Sequence, residues 1–149
     1  MNRFFSKSEE ALIIESIRRA EQETSGEIRV HLEHRKKSDS VMEGAKKAFT
    51  TLRMERTAER NGVLVYLIPS VREFAILGDS GINAKVPEHF WEDVRDVMQD
   101  QFRKGAVAQG ICDGILLIGE KLKTYFPYQK DDTNELPDDL SYGSDSATE

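Results

Sequence analysis

Hydrophobic positions recur along the chain in two rhythms, one of about 3.6 residues and one of two, and their order predicts the fold. From Ser8 to Thr24, Leu12, Ile13, Ile17 and Ala20 fall on one helical face, with Ser6 and Glu9 spaced as a capping box and Gly26 placed to end the helix. Glu27 to His34 then alternates, setting Ile28, Val30 and Leu32 against Arg29, His31 and Glu33. That pattern predicts a strand with one face in water. Ser40 and Glu43 repeat the capping-box spacing ahead of a helix with Val41, Ala45, Ala48, Phe49 and Leu52 on one side. Met54 to Arg60 is polar and fits either an extension of that helix or a loop.

Asn61-Gly62 punctuates the chain before Val63 to Ile68, a run apolar on both faces that suits a central strand of a covered sheet. Pro69 to Arg72 turns the chain, and Glu73 to Leu77 returns. So short a connection can only join antiparallel strands. The strands before and after the second helix are expected to be parallel, joined by a right-handed crossover. Gly78 to Gly81 ends the third strand. Pro87 suits the first position of a third helix, on which Phe90, Val94, Val97 and Gln101/Phe102 track one face to Gly105. A last helix, Ala106 to Tyr125, carries Val107, Ile111, Ile115, Ile118 and Leu122, with Gly110 and Gly114 on an adjoining face. Each glycine costs about 1 kcal/mol relative to alanine, and close packing of this helix on the sheet would account for them. Helices around a mixed sheet give an α/β class fold, a Rossmann-like three-layer α/β/α sandwich.

Composition changes the picture chiefly at the C-terminus. The chain has 149 residues, 38% of them hydrophobic and 32% charged, which suits one domain with one core. The net charge of −6 is concentrated in residues 131–149, which hold seven acids (Asp131, Asp132, Glu135, Asp138, Asp139, Asp145, Glu149) and no Lys or Arg. Residues 1–130 therefore read as the folded domain, and 131–149 as an acidic tail, partly disordered and most so beyond about Ser141. The nearly neutral body has no basic face of the kind a phosphate backbone requires, so no nucleic-acid partner is expected. The longest apolar run is far short of the roughly 20 residues that span a bilayer. Met1-Asn2-Arg3-Phe4-Phe5 has no apolar core behind it of the kind a signal peptide carries. With Cys112 as the single cysteine, neither an internal disulfide nor a cysteine zinc site can form. The expectation is a cytoplasmic protein without a membrane partner.

A family resemblance follows from segments in a fixed order: Thr24 to Val30, Arg60 to Tyr66, Ala75 to Ile82, Phe102 to Gly105, and Gly110-Ile111. Together they resemble the TPM domain family, named for thylakoid-lumen, photosystem-repair and nematode receptor-modulator proteins. Tyr125-Phe126-Pro127-Tyr128 and Asp132 to Pro137 resemble a short bacterial branch of it, and the likeness spans roughly residues 5–138. The resemblance implies a Rossmann-like sandwich and two activities: acid phosphatase, proposed for the plant thylakoid branch, and binding of calcium or another divalent ion. The long family form has a signal peptide and a membrane anchor, neither of which is expected here, so the membrane-linked roles are not carried over.

The hairpin supplies a geometric argument beside the resemblance. If its turn is centred near Ser70–Val71, paired residues have numbers summing to about 141, and Asn61 lies beside Asp79 and Ser80. Oxygen-bearing side chains and flexible glycines then converge at one sheet edge, the chemistry that Ca2+ or Mg2+ takes from proteins. Asn-Gly and Gly-Asp are also ordinary turn pairs, and Asp79 equally fits a cap on the following segment. Glu27, at the start of a parallel neighbouring strand, would lie near Asn61, and reads either as a fourth ligand or as an exposed acid. The expected metal set is thus Asp79, Asn61, Ser80 and Glu27, with no catalytic residue assigned. Asp113 follows a helical turn and reads as a solvated residue. The Asp131-Asp132-Thr133-Asn134-Glu135 cluster lacks the glycine and spacing of an EF-hand loop.

Other chemistry is sparse. His31, His34 and His89 are too scattered for a catalytic or zinc constellation, and Cys112 reads as a small core residue. Neither a Walker loop nor a nucleophile elbow occurs. The leading expectation is a divalent-metal module, regulatory rather than enzymatic. One alternative is a metal-dependent phosphatase in which Asp79 holds the metal and Arg60 binds phosphate oxygens. The other is a scaffold that contacts a protein partner through its acidic tail or Phe90–Trp91.

Overall fold

Ser6 opens the first helix as expected. Its hydroxyl accepts from the Glu9 amide while the Glu9 carboxylate accepts from the Ser6 amide, so α1 (Lys7–Glu21) starts with a complete capping box. In this computed structural model, which describes residues 4–129 and 136–143, α1 is followed by β1 (Glu27–Leu32) and α2 (Val41–Thr51). At α2 the Ser40 hydroxyl accepts from the Glu43 amide. Met54 to Arg60 is a loop of turns, and β2 (Gly62–Ile68) is buried along its whole length. A 3-10 turn at Pro69–Val71, with Arg72 in the left-handed region, leads into β3 (Glu73–Gly78). The chain ends in α3 (Ser80–Asn83), α4 (Glu92–Arg103), α5 (Val107–Leu122) and β4 (Ser141–Tyr142).

The sheet is mixed, in the order β3-β2-β1-β4. β1 runs parallel to β2, and β2 antiparallel to β3. Every β2–β3 pair from Val63 with Gly78 to Ile68 with Glu73 sums to 141, the register the hairpin turn implied. Helices cover both faces. Ile17 of α1, Met98 of α4 and Ile115 of α5 share a core with Ile28, Val30 and Val65. On the other face Ala45 and Phe49 of α2 pack on Leu64, Tyr66 and Ala75. The architecture is an α/β sandwich.

Four expectations are corrected. Pro87 does not start a helix: His89 turns the chain into the left-handed region (φ 68°), and α4 begins at Glu92. Gly110 and Gly114 are not packed on the sheet. A Cβ there would lie 2.7 Å from the Phe102 ring and 2.5 Å from Met98, so the glycines let α5 lie against α4. The polar face of β1 is not in water either, since Glu27 and His31 are 5% and 7% exposed. What covers it is the fourth correction. Residues 136–143, assigned from sequence to the tail, fold back along β1, with Leu136 and Leu140 buried and Ser141–Tyr142 paired in parallel with His31–Leu32. The Asp131–Glu135 cluster lies outside the described residues. Among the described residues no helix is long and apolar enough to cross a membrane.

Candidate functional site

The edge where β1 and β2 begin and β3 ends gathers most of the residues singled out above. Parallel pairing sets Glu27 opposite Gly62, and the Glu27 amide donates to the Asn61 carbonyl at 3.2 Å. Antiparallel pairing continues past the strand ends, where the Asp79 amide donates to Gly62 and the Gly81 amide to Arg60, both at 2.9 Å. Asn61, Asp79 and Glu27 are all buried, at 1%, 6% and 5% exposure, while Ser80 is exposed on the first turn of α3. The sequence-derived set is therefore brought to one edge.

Each side chain there has a distinct environment. Asn61 donates from Nδ2 to the Ser25 hydroxyl at 3.4 Å, and Ser25 in turn donates to Glu59 at 3.3 Å. Thr57 Oγ1 accepts from the Asn61 amide. The Asn61 Oδ1 atom is buried and accepts no hydrogen bond. Such an acceptor is costly in a fold, because desolvation is not offset by a new partner. Glu27 accepts from the Leu136 amide at 2.8 Å, which anchors the C-terminal segment.

Asp79 takes the capping role the sequence offered and an ion pair besides. Its Oδ1 caps α3 by accepting from the Ser80 amide at 2.7 Å. Arg60 also grips it in a two-pronged ion pair, Nε to Oδ2 at 2.8 Å and Nη2 to Oδ1 at 3.0 Å. Hydrogen bonding to Asp79 raises the Arg60 pKa above its ordinary value. Arg60 reaches this position because its backbone is left-handed (φ 52°), which aims its carbonyl at Gly81. The hairpin register alone sets Arg60 against Gly81, two residues from Asp79, but does not give the direction of its side chain. A cleft of about 330 Å³ opens beside the pair, bordered by Lys46, Glu55 and Thr50.

Residues read as bland remain so. Asp113 accepts from Gln101 and Gln109 on the helical surface. Cys112 is buried and in no disulfide, and burial pushes its thiol pKa up. Phe90 is buried edge-to-face against Trp91 and Tyr125. Among the described residues no three His, Cys, Asp or Glu side chains converge as a group that could hold a metal ion.

Comparison with known proteins adds a family to this geometry. The family model of the TPM domain matches residues 1–121. The chain belongs to the TPM domain family. Among solved structures, this TPM domain is similar to the BA42 protein of the psychrophilic bacterium Bizionia argentinensis, with 43% identity, a TM-score of 0.90, and coverage of 96% of this chain and 98% of that one. Two more distant structures share the fold. One is the N-terminal domain of a protein from P.gingivalis (20% identity, TM-score 0.64, covering 82% and 78%). The other is the N-terminal domain of the cg2496 protein of Corynebacterium glutamicum (11% identity, TM-score 0.64, covering 96% and 83%). No curated protein matches the sequence.

Proposed function

We propose that this TPM domain binds a divalent cation, calcium in preference to magnesium, at the edge formed by Asn61, Asp79, Ser80 and Glu27, and that the edge is regulatory rather than catalytic. The observation that carries this reading is Asn61 Oδ1, a buried amide oxygen with no donor, at the entry of the strand that runs between β1, where Glu27 is buried, and β3, at whose end Asp79 is buried. Hard cations take oxygen from amides, carboxylates, hydroxyls and water, and calcium accepts the irregular geometry of such a set more readily than magnesium. Amide and carboxylate chemistry fits the cation. Arg60 opposes it, because its guanidinium holds the place of a cation on Asp79. Binding through Asp79 thus exchanges one positive partner for another, and Arg60, whose side chain is half exposed, can swing into solvent. The same ion pair engages both groups on which a phosphatase at this edge would rely.

Titration with calcium, followed through backbone amide shifts, is expected to move residues 61–62 and 78–82 together. Unmoved amides there at millimolar calcium would refute the site. Arg60→Gln is expected to tighten calcium binding several-fold by removing the competing charge, whereas Asp79→Asn weakens it. If Arg60→Gln leaves affinity unchanged, Asp79 is not a ligand. A protein partner that reads the cation-bound edge would be retained by the full chain in the presence of calcium and lost with a chelator.

A further inference from the structure

A second, larger cleft lies along α2 and shares Lys46 and Thr50 with the cleft beside Asp79. It measures about 900 Å³, and its lining includes Lys37, Lys46, Lys47, Tyr66, His31 and Ser141. His31 sits between two oxygen partners. Its Nδ1 lies 2.6 Å from the Ser141 hydroxyl and its Nε2 lies 2.8 Å from Glu33 Oε1. The imidazole is 7% exposed and stacks on the Tyr66 ring, with centroids 5.8 Å apart and planes 13° apart, so its orientation is fixed.

The proton positions follow from Glu33. Burial opposes its ionisation, but the hydrogen bond from His31 to Oε1 and the Lys37 ammonium 3.5 Å from Oε2 outweigh burial and hold the carboxyl below its ordinary value. An ionised Glu33 accepts the Nε2 proton, and in the tautomer protonated at that nitrogen Nδ1 presents its lone pair to Ser141. Ser141 must then be the donor across the 2.6 Å contact, with the Val30 carbonyl at 3.3 Å a longer alternative. A serine hydroxyl donating to a histidine whose far nitrogen donates to a carboxylate is the arrangement that activates a nucleophile.

We propose that Ser141, His31 and Glu33 form a hydrolytic site for small carboxylic esters whose acyl group carries a negative charge. In the reaction, a lone pair of Ser141 Oγ forms a bond to the ester carbonyl carbon as the hydroxyl proton passes to His31 Nδ1. The carbon–oxygen bond to the alcohol then breaks, and the departing oxygen takes the electron pair together with that proton. Water attacks the acyl-serine through the same nitrogen, the serine is re-protonated, and the net change is ester plus water to acid plus alcohol. Glu33 is a positioning residue that holds the tautomer. Lys37, Lys46 and Lys47 supply the positive potential that favours an anionic acyl group and the developing oxyanion. A cleft of this volume is ample for a ligand of that size.

The test uses the full chain. A fluorophosphonate probe should displace fluoride and form an adduct that peptide mass spectrometry maps to Ser141. The chain should also hydrolyse the p-nitrophenyl monoester of succinate faster than p-nitrophenyl acetate. Ser141→Ala should abolish adduct and turnover, and His31→Gln should reduce turnover by about 10²- to 10⁴-fold. Glu33→Gln should lower kcat with little change in KM, which a purely structural loss would not produce. An unlabelled Ser141 in the unsubstituted chain, or undiminished turnover in Ser141→Ala, would overturn the proposal.

Discussion

Gly81→Ala is expected to destabilise the protein by about 3 kcal/mol or more and to dismantle the cation edge with it. A Cβ at this position would lie 2.0 Å from the Glu59 carbonyl oxygen and 2.6 Å from that of Arg60. Both obstacles are backbone, so no side-chain rotation relieves them. The Arg60 carbonyl is also the acceptor of the Gly81 amide at 2.9 Å, and a chain pushed off by the new methyl would lose that bond. Arg60 would move with its carbonyl, and its grip on Asp79 would go too. Gly105→Ala is the informative control, because Gly105 has φ 81° and nothing within 4 Å of the added atom. Its cost is conformational alone, about 1–2 kcal/mol. Urea unfolding of the two variants separates crowding from backbone strain. If Gly81→Ala proved no worse than Gly105→Ala, α3 would not lie against the Glu59–Arg60 backbone as described.

What could be read from sequence depended on how far apart the interacting residues lie. The α1 cap and the β2–β3 register rest on neighbours, and short-range chemistry specified both. The continuous apolar run of β2 left it no other place than the centre of the sheet. Residues 27–33 show the opposite case. Alternation says that Glu27, Arg29 and His31 share a polar face, but it cannot say whether water or another segment meets that face. The partners are 109 residues away for Glu27 and Leu136, and 110 for His31 and Ser141. A two-residue strand carries no period of its own. The available signal was Leu136 and Leu140, apolar residues in a stretch otherwise suited to solvent.

The same distance dependence shaped the candidate sites. Asn61 and Asp79 are joined by one hairpin, so turn geometry sufficed to bring them together. The grip of Arg60 on Asp79 needs side-chain direction as well as register, and a left-handed residue before Asn61 is not written in any local pattern. His31 read as isolated because Ser141 belonged to a presumed tail. Only the folding back of residues 136–143 places a hydroxyl against its ring.

That folded-back segment makes stability depend on pH through Glu21. The Glu21 carboxylate accepts from the Ile28 amide at 2.9 Å and faces Asp138, which Arg18 approaches to 3.9 Å. Burial, the hydrogen bond with Asp138 and repulsion from Asp138 and Glu27 together push its pKa from 4.5 to about 9, against the pull of the Ile28 amide. Between those values the folded chain holds a proton that the unfolded chain has released. Unfolding then gives up a proton, so stability falls as pH rises from about 4.5 and levels off above about 9. Glu21→Gln removes this dependence while keeping the bonds, since the amide oxygen can accept from Ile28 and the amide nitrogen can donate to Asp138. The variant is expected to match the unsubstituted chain in acid and to exceed it by on the order of 2 kcal/mol at about pH 8. Urea midpoints measured across that range decide the matter. A loss at neutral pH in place of the gain would mean that Glu21 is ionised in the fold, and that the C-terminal segment is held to α1 by Arg18 rather than by a shared proton.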